Sequence, residues 1–441
     1  MLSKISDLII SPQPISQIIK NHLQIKTVRL ISKKSNFKPF SHIQSLPPDP
    51  IFDLLEQYQN CKSTNKVNLS IGEYRDENGN PLVLEVVKNV EKDLASRNLP
   101  KDNLPIDGDP KFYEEATKLL LGPESKYIKE KRVCSIQCLS GTGGLRLTGE
   151  LIKRCSKNKT IYLPDPTWVN HAPIFKKSGL EMKIYRYYNN GLNFSGLIED
   201  LENAKENSFV VFHACSHNPT GTDPTEKQWK KILKTVKKKN LVPIFDTAYL
   251  GFSSGNYDKD AFAIRLAAEQ EIPSIIAQSF SKNLGLYSER IGCLSILCDT
   301  QKEAENLRSQ LKAIILPMYS NPPIHGSLIV GTILENSYLI RKWKAEMKEM
   351  QSRISEMRSL VYKELTRKKT KRSWKRIISH SGMFTFSDLT EKHVKILKEK
   401  YSIFVESTGR ISMGGINHNN INYLVSSIHE VLQNEHFSIK R

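Results

Sequence analysis

Four short apolar runs constrain this chain more than any other feature. They are "SFVVFHAC" (Ser208–Cys215), "LVPIFDTAY" (Leu241–Tyr249), "SIIAQSF" (Ser274–Phe280) and "GCLSILCD" (Gly292–Asp299). Each reads as a strand buried on both faces rather than one that alternates between core and water. Between and before them lie helical patterns, among them "PLVLEVVKNVEKDLASR" and the amphipathic "EKQWKKILKTVKKK". Buried strands separated by helices predict an α/β fold with a parallel or mixed sheet covered on both sides. "TIYLPDPTW" reads as a further strand running into a turn at Pro164 and Pro166, and "KVNLSIG" as a short strand ending at Gly72. From about residue 330 the pattern changes. A long helix over "SYLIRKWKAEMKEMQSRISEMRSLVYKEL" leads to short strands and a final helix, "INYLVSSIHEVL". The expected organisation is a basic arm over 1–40, a segment over 41–75 that joins a small α+β domain, a large domain over 76–335 with a mostly parallel central sheet, and the small domain over 336–441.

Composition excludes several functions. No apolar run approaches the roughly 20 residues needed to span a bilayer. The net charge is +19, yet no basic block interleaves with aromatics as a nucleic-acid platform requires. The densest basic stretch, "RKKTKRSWKR" (Arg367–Arg376), reads as a solvated loop or helix end. The 7 cysteines show neither a close CxxC pair nor a metal-ligand spacing with histidine, which fits free thiols in a reducing compartment and no metal site. The first 45 residues carry seven Lys or Arg against a single acidic residue, Asp7. That is the bias of a mitochondrial transit segment, although lysine outnumbers arginine.

In open α/β sheets, ligands bind beyond the carboxyl ends of the strands. The residues at those predicted ends are Asp246, Tyr249, Asn218, Trp168 and Lys282, with Arg290 eight residues after the lysine and "SGTGG" (Ser140–Gly144) before a helix. Singly each is weak: a glycine turn is usually only a turn, and a lysine after an apolar strand is usually a solvated cap. Together they describe one ligand. A glycine-rich helix start with Ser279 and Arg290 suits a phosphate. An aspartate suits a protonated ring nitrogen, a tyrosine and an asparagine suit a phenolic oxygen, and a lysine can form a Schiff base. The ligand with those parts is pyridoxal 5'-phosphate.

The motifs "SHIQSLPPDPIF", "VNLSIGEYRDENGNPLVLEVV", "SGTGGLR", "LPDPTWVNH", "HACSHNPTGTDP", "FDTAYLGF", "SFSKNLGLYSERIG", "MYSNPP", "GMFTF" and "GRISMGGI" span the chain from about Ser41 onward. In combination they resemble the aspartate aminotransferases of fold type I, the mitochondrial form most closely. The resemblance implies that Lys282 is the Schiff-base lysine and also moves the substrate's Cα proton. Asp246 would keep the pyridine nitrogen protonated, Asn218 and Tyr249 would hold the phenolate oxygen, and Trp168 would stack on the ring. Gly141, Thr142, Ser279 and Arg290 would bind phosphate. Arg410 would grip the substrate's α-carboxylate as a fork, and Gly72 would let the backbone come close. It also implies a dimer acting on an amino acid and a 2-oxo acid in the mitochondrial matrix, with L-aspartate and 2-oxoglutarate as the parent pair.

Two positions depart from the family pattern. Asn103 stands where the family has a tyrosine to the cofactor phosphate, and Leu316 where it has the arginine that pairs with a dicarboxylate's distal group. Losing the first is worth about 1 to 3 kcal/mol and losing the second roughly 3 to 5 kcal/mol, or roughly 10² to 10⁴ in kcat/KM for a dicarboxylate. Both family residues reach into the neighbouring subunit's site, so a homodimer would have two weakened sites and a heterodimer with an intact paralogue one complete site. The alternatives are a neutral or aromatic amino acid as substrate, or a catalytically weakened or inactive aminotransferase-like structural subunit of a larger mitochondrial assembly.

Overall fold

The computed structural model describes residues 38–433. The targeting segment expected over 1–40 therefore lies almost entirely outside the described residues. Two bodies result, one ending at Pro48 and the other beginning at Asp49. In the first, Lys38 to Ile43 form turns closed by Ser41 N–H to Lys38 O (3.2 Å) and Ile43 N–H to Phe40 O (3.1 Å).

Among the described residues the second body is built on eleven strands. They are β1 (Val67–Asn68), β2 (Val133–Leu139), β3 (Thr160–Asp165), β4 (Glu181–Arg186), β5 (Phe209–His213), β6 (Val242–Thr247), β7 (Ile275–Ser279), β8 (Ile291–Leu297), β9 (Phe384–Phe386), β10 (Ile403–Phe404) and β11 (Arg410–Ser412). Seven of them form one sheet in the order β2-β8-β7-β6-β5-β3-β4. Four ladders are parallel, and the two that involve β8 are antiparallel. Since β8 runs against both its neighbours, β2 runs with β3 to β7. The carboxyl ends of β2, β3, β5, β6 and β7 thus share one edge with the start of β8, where Leu139 pairs with Ile291 and Ser279 with Gly292.

The continuous apolar runs explain the burial. On β5, Val210 and Phe212 belong to one apolar cluster while Phe209 and Val211 belong to another, so both faces of the strand are covered as expected for a parallel sheet. Two sheet strands have no clear signature in the sequence. Strand β2 interrupts its apolar residues with the buried Ser135 and Gln137, and edge strand β4 is largely exposed and reads as polar. The strand expected to end at Gly72 stops at Asn68, because its parallel partner β10 is only 2 residues long.

The long helix spans Ser337–Arg367. Beyond it lies the smaller α+β region, in which β9 pairs antiparallel with β11. The basic stretch runs from the last residue of that helix into a loop whose Trp374 and Thr370 are buried.

Candidate active site

A cavity of about 100 Å³ opens at the shared strand edge. Gly141, Thr142, Trp168, Asn218, Asp246, Tyr249, Ser279, Lys282 and Arg290 all line it. Residues from far apart in the chain meet there because five strands end there. The helix Ser140–Cys155 begins at the cavity with no side-chain cap. "SGTGG" is therefore the first turn of that helix rather than a loop before it, and its unpaired N–H groups face a ligand position. Ser140 and Arg290, both non-glycine, hold left-handed backbone conformations (φ 59° and 51°), a local cost that clusters at ligand sites.

Three hydroxyls gather at this end. Ser140 Oγ lies 2.9 Å from Ser279 Oγ and 2.8 Å from Ser281 Oγ. The Arg290 guanidinium beside them donates to Tyr287 O at 2.8 Å. With no carboxylate among the described residues to neutralise it, burial pulls its pKa down.

Asp246 ends a chain of hydrogen bonds whose direction can be worked out from its far end. The Asn218 backbone N–H donates to His213 Nδ1 (3.2 Å), so His213 carries its proton on Nε2 and donates to Thr167 Oγ1 (3.3 Å). Thr167 then donates to His171 Nδ1 (2.7 Å), and His171 Nε2–H donates to Asp246 Oδ2 (3.2 Å). His213 acts as a neutral ring in this chain. Burial pulls His213 down to about 3, in agreement with that assignment. Burial alone would push the Asp246 carboxyl up. The hydrogen bond from His171 outweighs it and holds the carboxyl below its ordinary range. Asp246 is thus an ionised acceptor facing the cavity.

Lys282 is shifted downward too, but here burial is the cause. Burial pulls its ammonium down, Asp246 partly offsets this, and Arg290 adds to the lowering, which favours the neutral amine that acts as a nucleophile. Its Nζ lies 5.1 Å from the centre of the Tyr249 ring. Burial raises the Tyr249 hydroxyl well above its ordinary value.

Two predicted residues border the cavity through contacts. Arg410 donates to Asn218 Oδ1 (2.9 Å) and Ser70 O (2.6 Å), and its Nε stands 2.6 Å from the Glu406 carboxylate. Gly72 lies where a Cβ would meet Phe384 at 2.5 Å and the Tyr249 hydroxyl at 3.0 Å. Two others stand apart from the cavity. Asn103 is exposed, and Leu316 is 54% exposed near the end of the helix Gln301–Tyr319.

Sequence reasoning gave no role to Thr167, His171, His213, Ser140 or Ser281. The signal was present in "LPDPTWVNH", where Thr167 and His171 follow a strand four residues apart.

A sequence profile for the family described as "Aminotransferase class I and II" matches residues 64–428. The chain is 45% identical to aspartate aminotransferase 3, chloroplastic, of Arabidopsis thaliana, over 89% of this chain and 88% of that one. It is 43% identical to the mitochondrial aspartate aminotransferase of Dictyostelium discoideum, over 91% and 95%. Among solved structures, an aromatic-amino-acid aminotransferase from Burkholderia pseudomallei covalently bound to pyridoxal phosphate superposes with a TM-score of 0.87 at 38% identity, over 90% of this chain and 100% of that one.

Proposed function

The chain belongs to the class I and II aminotransferase family, and from that premise we propose how its own residues divide the work. It is a pyridoxal-phosphate enzyme of the aspartate aminotransferase type, which moves an amino group between an amino acid and a 2-oxo acid. The cavity fits that cofactor: an uncapped helix start, three converging hydroxyls and an arginine with no carboxylate partner among the described residues suit a phosphate. Across from them a buried ionised aspartate suits a protonated ring nitrogen. When bound, the cofactor supplies a sink for the electron pair left when the substrate's Cα proton leaves.

Lys282 would present its amine to the cofactor's aldehyde carbon and would carry the proton to and from substrate Cα. Asp246 would hold the ring nitrogen protonated, with His171, Thr167 and His213 holding Asp246. Gly141, Thr142, Ser279 and Arg290 would hold the phosphate, with Ser140 and Ser281 added to that set. Trp168 would stack on the ring, and Asn218 and Tyr249 would hold its phenolic oxygen. Arg410 would grip the α-carboxylate as a planar fork, which a lysine could not copy. Gly72 would keep the substrate's approach open.

The parent reaction we propose is L-aspartate with 2-oxoglutarate, the named relatives being aspartate aminotransferases, and Leu316 weakens the grip on the distal carboxylate. The aromatic-amino-acid aminotransferase among the structural neighbours supports a second reading in which a neutral or aromatic side chain is accepted. We infer a homodimer, with a mixed dimer alongside an intact paralogue as the alternative that Asn103 and Leu316 suggest, since neither lines this subunit's own cavity. We place the large-to-small domain boundary between the helices His325–Glu335 and Ser337–Arg367, and the protein in the mitochondrial matrix.

The observation that carries this reading is Lys282 and Asp246 facing one cavity with oppositely useful charge states. Purified protein incubated with pyridoxal phosphate and reduced with borohydride should carry the cofactor's mass on the peptide containing Lys282. Cofactor bound only reversibly, or fixed on another lysine, defeats it.

A further inference from the structure

Arg358, on the long helix Ser337–Arg367, is a buried cation with an unusual set of partners. Its Nη1 donates to Ile377 O (2.9 Å), and its Nη2 to Ser381 O (3.2 Å), Gly382 O (2.8 Å) and Phe384 O (2.7 Å). Among the described residues no carboxylate reaches it directly, and Asp223 acts on it only through space. Burial pulls it down to about 9. Burying an arginine on carbonyls alone is costly, and such a group persists where the arrangement it enforces matters.

What it enforces lies on both sides of the cleft. Strand β9 starts at Phe384 and pairs Ser412 with Phe384 and Arg410 with Phe386. The Phe384 ring lies 4.3 Å from the Arg410 guanidinium and edge-on to Tyr249 at 5.6 Å. On the other side, Ser381 N–H donates to Gly221 O (2.7 Å). Gly221, at φ +68°, sits so close that a Cβ there would lie 2.1 Å from Phe384 O. Ser381 Oγ donates to Asp223 Oδ2 (2.8 Å). The same carboxylate takes the backbone N–H groups of Ser216 (2.7 Å) and His217 (2.9 Å), just before Asn218. Ser381 thus offers its carbonyl to the cation and its hydroxyl to the anion.

We propose that Arg358, Ser381 and Asp223 form an ion pair relayed through Ser381 that fixes the spacing between Arg410 and Asn218, making Arg358 a positioning residue for the substrate's α-carboxylate. This rests on the reading of Arg410 given above. Arg358 touches neither cofactor nor substrate. It acts through Phe384 and strand β9, while Asp223 acts through the turn that carries Asn218.

The test uses the full-length, cofactor-loaded protein and reads half-saturation of the cofactor's absorbance change. The ligands are L-aspartate and L-phenylalanine, each against the amine that lacks its α-carboxylate, β-alanine and 2-phenylethylamine. Arg358→Met should raise half-saturation for both amino acids about tenfold and leave both amines unchanged. Arg358→Lys should fall between Arg358→Met and wild type. Ser381→Ala, which keeps the carbonyl clamp and removes the hydroxyl's bonds to Asp223 and Ser253, should raise the amino acids about threefold and keeps the idea testable where Arg358→Met does not fold. Arg410→Lys is the reference. If it discriminates amino acid from amine and neither Arg358→Met nor Ser381→Ala does, the relay is wrong and the reading of Arg410 stands. If all four ligands shift equally in the Arg358 and Ser381 variants, the role is merely structural and the proposal falls. If Arg410→Lys does not discriminate either, both fall.

Discussion

The cleft and the surface carrying Asn103 and Leu316 contrast sharply. In the cleft, nine predicted residues converge on one cavity, and burial together with neighbouring groups sets the charge of Asp246 and Lys282. Asn103 and Leu316 are exposed, meet no part of that cavity, and carry no charge. Strand ends and core packing enforce the first arrangement, so it comes with the fold. Nothing in the fold of one subunit enforces the second. The chain can therefore retain its cofactor chemistry in full while its choice of side chain drifts.

That contrast can be broken at graded cost. The largest effect belongs to Lys282→Ala, which should lower turnover of any amino acid by about 10⁴ or more and abolish borohydride fixation. Residual turnover near wild type would mean that the cleft is not the reacting site. Asp246→Asn removes the ionised acceptor and should cost roughly 10² to 10³ in kcat, with the amino acid's half-saturation little changed. A loss confined to half-saturation would instead make Asp246 a binding group. At the surface the expected sign is reversed. Leu316→Arg should raise kcat/KM for L-aspartate by about 10² and leave L-phenylalanine unimproved. Wild type already as fast as Leu316→Arg would show that another cation serves the distal carboxylate.

The smallest effect is absent at neutral pH and appears only in acid. His213 is held at about 3 in the fold against an ordinary value near 6.5. Between those values the unfolded chain binds the proton and the folded chain does not. The stability contributed by neutral His213 is therefore complete above about pH 6.5 and lost as pH falls toward 3. His213→Asn should flatten the acid limb of a denaturation series over that window. Asn103→Ala and Leu316→Ala, which remove no titrating group, should leave its shape unchanged. An acid limb indifferent to His213→Asn would mean that the ring is protonated in the fold and that the hydrogen-bond direction assigned here is reversed.

The sequence by itself determined the α/β architecture, because runs such as "SFVVFHAC" can bury both faces only inside a covered sheet. It also determined the cofactor, because its phosphate, ring nitrogen and aldehyde each demand a different residue type, and all of those types stand at strand ends. Strands β2 and β4 were hidden, since a buried Gln137 and an exposed edge break the apolar signal on which such reading depends. Only the tertiary structure decided how Asp246 is held. His171, Thr167 and His213 matter through a directed chain of donors, and direction is a property of partners brought together from β3, β5 and β6 rather than of any one segment. The same holds for Arg358. In sequence it is one more cation on a charged helix, and only folding surrounds it with four carbonyls from a segment 19 to 26 residues away.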